Sequence, residues 1–208
     1  MTAWMMNAEV REPGWFEIPE LPESAISSWS SEVTSALEAA WDTEFSSDTT
    51  LLIRSDLERA QRLRPGAASL TAAYWPPFGD LFFGVNVTSG RVPRLEDWVD
   101  DGYELRSYES ERLGAGVECV SVDAVLRESA SDVDVQIVTA DYVFVDGSRC
   151  VKVSLDPMPV NYFVMMRPGI EELLQGLEVF SESGAVFRGK SASFSHIVLV
   201  DEVWGLPE

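Results

Sequence analysis

Near residue 69 the apolar pattern of this chain changes its period, and that switch limits the fold more than any other feature. From Ser24 to residue 63 the spacing is helical. After Ser24, apolar residues fall at Ile26, Trp29, Val33, Leu37 and Trp41, with Ala36 and Ala40 filling the same stripe, so one side of a helix over 24–41 is apolar. Beyond a polar loop from Thr43 to Thr50, the run Leu51 to Leu63 is apolar at Leu52, Ile53, Leu57, Ala60 and Leu63. This predicts a second helix, stopped by Pro65-Gly66; a short strand at Leu51 to Ile53 before a shorter helix is the alternative.

After that point the runs Ser69 to Trp75, Leu81 to Thr88, Gly116 to Arg127, Val133 to Val145, Arg149 to Leu155 and Asn161 to Met166 are rich in Val, Ile, Phe and Tyr. Gly, Pro, Asp and Ser punctuate them, and they read as strands. The clearest hairpin turns at Asp146-Gly147, where residues tolerant of positive φ separate two alternating runs. Trp15-Phe16-Glu17-Ile18 reads as an extended opening before Pro19 and Pro22. A short helix is expected from Pro93, with Leu95, Trp98 and Val99 on one side. A late helix is expected from Pro168 at a first-turn position, with a stripe of Ile170, Leu173, Leu174, Leu177 and Phe180. Phe194 to Val200 reads as a final strand. With no internal repeat and no linker, residues 1–208 are expected to form one α+β domain: a largely antiparallel β-sheet flanked by N-terminal helices and one late helix.

Charge narrows function. Asp and Glu total 35 against 13 Arg and 2 Lys, a formal net charge of −20. A field of that sign repels polyanions, so no nucleic acid and no anionic membrane face is expected as a partner. The 46% apolar and 11% aromatic content puts this charge on a folded object. The N-terminus has no basic segment followed by an apolar one, and no run approaches the roughly 18 apolar residues of a membrane span, so the expected location is cytoplasmic. The charge is also uneven. Residues 9–58 hold twelve acids and two bases, and residues 94–134 hold twelve acids and four bases; 59–93 hold Arg59, Arg62, Arg64 and Arg91 against Asp80.

Catalytic chemistry finds little support. One histidine, His196, and two distant cysteines, Cys119 and Cys150, cannot make a structural zinc site. Ser131-Asp132-Val133-Asp134 lacks the glycine and the distal Glu of a calcium loop. Gly114-Ala-Gly116 is a turn before a strand and no phosphate cradle. Ser195, His196 and Asp201 do not make a triad, because adjacent strand residues point to opposite faces. No metal and no cofactor is expected. The two cysteines lie in alternating apolar stretches and read as buried strand residues; a disulfide would need adjacent strands and an oxidising compartment.

Recognition chemistry finds more. Tyr74, Trp75 and Phe78 stand in a Pro-Pro corner between two strands, and Arg62 and Arg64 supply a basic patch nearby. Glu96, Asp97, Asp100 and Asp101 surround Trp98. Aromatics and arginine are enriched at protein interfaces, so these ten residues are the candidate binding surface, although a packed corner and a solvated acidic helix face explain them structurally.

The Trp-Phe-Glu-Ile-Pro opening, the alanine-rich Trp-containing helix, Leu95-Glu-Asp-Trp98, the glycine-rich strand entry, Asp141-Tyr-Val-Phe-Val-Asp-Gly147 and the late Glu171-Glu-Leu-Leu together resemble actinobacterial proteins of the PsbP-like fold group. The resemblance implies an antiparallel sheet sandwiched by helices, in a group used largely as protein-binding modules, with no catalytic residues to carry over. The leading expectation is a non-enzymatic acidic interaction protein of bacterial type, an immunity- or inhibitor-like binder of a basic protein partner. A small-ligand binding module lined by Trp15, Trp29, Trp41 or Tyr74 is the alternative, and a carboxylate-only hydrolase is third.

Overall fold

Ser46 accepts the backbone N–H of Thr49 and so starts the second helix four residues before its apolar stripe does. The computed structural model describes residues 4–11, 13–76, 82–91, 101–127, 134–147 and 149–190, with the backbone alone at 124–127 and 134. In it α1 spans Glu23–Ala40 and α2 spans Ser47–Leu63, and Leu51 to Ile53 lie inside α2. The pair forms an antiparallel-type helical hairpin tied by hydrogen bonds from Arg62 to Glu23 and from Gln61 to the carbonyl of Leu21.

The strands are β1 (Trp4–Ala8), β2 (Trp15–Glu17), β3 (Leu70–Tyr74), β4 (Phe83–Arg91), β5 (Glu104–Ser110), β6 (Gly114–Arg127), β7 (Asp134–Asp146), β8 (Arg149–Leu155), β9 (Met158–Pro159) and β10 (Leu177–Ser181), with α3 (Val160–Gly176) before the last. The fold is α+β. Eight strands form one antiparallel sheet in the order β2-β3-β4-β8-β7-β6-β5, with β9 paired to β7, while β1 and β10 pair as a separate two-stranded sheet. Gly147 takes φ +63° in the β7–β8 turn, as the Asp-Gly pair predicts.

Alternation assigns the two faces of the main sheet. Val120, Tyr142, Phe144, Val151 and Val153 pack against Phe163, Met166, Ile170, Leu173 and Leu174 of α3. On the opposite face Trp75 and Phe16 meet Leu37, Ile53 and Leu57 of the helical hairpin. Leu105, Val117, Cys119, Val143, Val145 and Cys150 form a third buried cluster, also on the face away from α3. The sheet therefore lies between α3 and the α1–α2 hairpin.

Three expectations are corrected. Asn161 to Met166 is no strand but the first turns of α3, since Phe163, Met166, Ile170, Leu173 and Leu174 share a helical face that the local run of bulky residues conceals. Pro168 does not open that helix; it sits inside it on the exposed side, where the carbonyl it deprives of a donor can turn to water. Leu177 and Phe180 leave the helical stripe and belong to β10, which pairs with β1, and neither partner was anticipated. The expected helix at 93–99 and strand at 194–200 lie outside the described residues.

Candidate functional site

The predicted binding residues that the structure describes, Arg62, Arg64, Tyr74, Trp75 and Asp101, do not converge on one surface. Tyr74 and Trp75 are each 3% exposed and point to opposite faces of β3. Tyr74 stacks on Trp15 at 5.0 Å beneath α3, and Trp75 stacks on Phe82 at 5.1 Å beneath the hairpin. They are core. For the same reason Trp15 and Tyr74 cannot share a pocket with Trp29 and Trp41, which pack around Trp75 on the other face. The arginines are engaged internally. Arg62 reaches Glu23 at 2.9 Å and Glu58 at 3.5 Å, and Arg64 donates to the carbonyls of Ile18 and Ala68, clamping the entry of α1 to the exit of α2. Asp101 is exposed in a turn before β5. Phe78, Glu96, Asp97, Trp98 and Asp100 lie outside the described residues, as do Ser195, His196 and Asp201.

Two surfaces do carry recognition chemistry. The first is the tip of the α1–α2 hairpin. Asp42, Glu44 and Asp48 are exposed there, and none forms an ion pair with a described residue. On the same helix as Asp48, Leu51 is 65% exposed and Leu52 45%, and in the preceding loop half-buried Trp41 and Phe45 meet edge to face at 5.6 Å. The local cause is a stripe mismatch: Ile53 and Leu57 fill the core-facing side of α2, so Leu51 and Leu52 are turned outward.

The second is a groove of about 740 Å³ between the small sheet and the β4–β8 end of the main sheet. Trp4 and Phe187, edge to face at 6.5 Å, form an apolar wall; Val151, Cys150, Ser69, Ser89, Ser181 and Arg149 are among the other lining residues. Arg149 lies 4.8 Å over the Trp4 ring. A smaller cavity of about 210 Å³ is lined by Phe82, Phe83, Met158, Tyr162 and Asp156, among others. Burial pushes the Asp156 carboxyl up, against a backbone hydrogen bond from Gly84 that lowers it.

The remaining buried polar groups serve structure. Glu118, 3% exposed, accepts the Tyr142 hydroxyl at 2.9 Å and Arg167 at 3.3 Å, and Arg167 continues to Glu171, which accepts the Tyr108 hydroxyl at 2.6 Å. This chain of contacts fastens α3 to β5, β6 and β7. Cys119 and Cys150 are buried and free; burial drives the Cys119 thiol far up and the Cys150 thiol up to about 12, which removes nucleophilic character at neutral pH. Among the described residues no three His, Cys, Asp or Glu side chains could hold a metal ion, and no helix is long and apolar enough to cross a membrane.

No protein-family model matches the chain, and no curated protein matches it. The residues that sequence reasoning missed are Asp42, Glu44, Asp48, Leu51 and Leu52 at the tip, and Trp4, Ser89 and Arg149 in the groove. The acid-rich, base-free stretch from residue 41 to 53 was a usable signal for the tip. Nothing local marks Trp4 and Arg149 as neighbours.

Proposed function

We propose that this chain is a non-enzymatic, cytoplasmic interaction module that binds a basic protein partner through the tip of its helical hairpin, in the manner of an inhibitor or immunity protein. One observation carries the reading: three exposed carboxylates without ion-pair partners among the described residues, Asp42, Glu44 and Asp48, border two exposed leucines. Carboxylates in that setting steer a cationic surface into place, and an apolar centre with a polar rim is the anatomy of a protein interface. The net charge of −20 extends the steering beyond the contact itself. The resemblance to the PsbP-like fold group supports the same class.

The test compares two variants of equal charge. Asp42→Asn, Glu44→Gln, Asp48→Asn removes the tip carboxylates; Glu109→Gln, Glu111→Gln, Asp123→Asn removes three others. Partners captured from a bacterial extract are identified and purified, and association rates are measured at low and physiological salt. The expected result is a partner whose association slows at least about tenfold with salt and with the tip variant, and far less with the control. Equal loss in both variants would sink the localisation. Capture insensitive to salt and to both would sink the whole reading.

A further inference from the structure

We propose that the groove beside Trp4 is a separate binding site for a small amphipathic organic anion, its flat apolar body against Trp4 and Phe187 and its carboxylate or sulfonate toward Arg149 and Arg91. The volume, about 740 Å³, falls in the range of small-molecule sites, and the lining combines aromatic and aliphatic surface with a few polar groups.

Charge selects the ligand. Cations are scarce in this chain, yet Arg149 lines the groove, with Arg91 its neighbour in the β4–β8 ladder and Lys190 bound to the same carboxylate, Asp146. Arg91 stands directly across from Arg149 in the β4–β8 ladder, on the face that carries Ser89 and Val151. Directly opposed like charges weaken a sheet, so this pair costs stability unless an anion joins it. Asp146 answers part of the charge: it accepts Lys190 at 2.6 Å and Arg149 at 3.3 Å. Arg91 forms no ion pair with a described residue.

The polar lining fits the same ligand. The Ser181 hydroxyl is engaged, with Ser183 at 2.9 Å and the N–H of Ala185 at 3.0 Å. Ser69 and Ser89 also line the groove, and their hydroxyls make no hydrogen bond to a described residue. Arg149 lies with its guanidinium carbon over the Trp4 ring, so a ligand ring lying on that wall brings its acid group to a cation. A molecule with one acid group and an apolar body enters on burial energy despite the long-range negative field, whereas a polyanion is turned away before contact.

The probe is a matched pair of fluorescent dyes, anilinonaphthalene sulfonate and the uncharged phenylnaphthylamine, titrated into the full chain. The expected result is saturable one-to-one binding of the sulfonate, tighter than that of the neutral dye. Arg91→Gln with Arg149→Gln should weaken the sulfonate about tenfold and move the neutral dye less than about twofold, while Trp4→Ala weakens both. Arg59→Gln on α2 removes one positive charge far from the groove and should change neither. Absent saturation, equal affinity for the two dyes, or an equal loss with Arg59→Gln would overturn the proposal. Since these residues are remote from the hairpin tip, failure here leaves the protein-binding reading standing, and the reverse also holds.

Discussion

Burying Glu118 beneath α3 is tolerable because Tyr142 and Arg167 stay with it. Removing one partner strands a desolvated charge, whereas removing both does not. Arg167→Met is therefore expected to cost about 2–3 kcal/mol in urea unfolding, toward the lower side for a buried pair because the arginine is partly exposed, and Glu118→Gln with Arg167→Met should cost less than Arg167→Met alone. A single variant within about 0.5 kcal/mol of the parent would show the contact to be idle. Asp156 gives a pH prediction. Its carboxyl is raised by burial, so as pH climbs past the usual Asp range the unfolded chain releases its proton before the folded one does, and stability falls through that window. Asp156→Asn, which keeps an acceptor for Gly84, should melt above the parent at pH 7, with the gap closing toward pH 3. None of these roles was legible locally. Glu118 sits in an alternating run, Gly116 to Val122, where a glutamate reads as solvent-facing, and its cation is 49 residues away.

Among the elements, β6 depends on a missing side chain. Gly116 lies between Tyr108 of β5 and Phe144 of β7 in the ladder, and the two rings meet at 6.0 Å across it. A Cβ at this position would stand 2.6 Å from the Phe144 ring and 2.9 Å from the carbonyl of Val143. Gly116→Val should destabilise by about 2–3 kcal/mol, read by chemical unfolding, and Gly116→Ala by less. Sequence reading set this glycine at the end of a Gly114-Ala-Gly116 turn and the start of a strand; the strand in fact begins at Gly114, which takes φ +79°. The helical hairpin and the β7–β8 hairpin were legible because each is written in consecutive residues: a stripe of period 3.6 in one case, two alternating runs around Asp-Gly in the other. The start of α3 was not. Asn161 to Met166 is bulky at both periods, and Pro168 offered a false beginning.

At the scale of the molecule, a net charge of −20 makes the folded state repel itself. Raising sodium chloride from ~0.02 M to ~0.3 M should raise the melting temperature by a few degrees as screening shortens the reach of that repulsion; a flat or falling curve in calorimetry would contradict it. The same field frames both proposed sites, one using the dominant charge at the hairpin tip and the other a local exception to it beside Trp4. The sequence by itself determined the helices of the N-terminal third, the antiparallel character of the sheet, the Asp-Gly turn and the excess of negative charge, because each depends on spacing or counting along the chain. Only the tertiary structure decided that Tyr74 and Trp75 are core, that Arg62 and Arg64 serve internal contacts, and that Trp4 and Arg149 share one groove. Those outcomes depend on which sheet face a residue takes and which distant strand lies beside it, and cross-strand neighbours leave no trace in local periodicity.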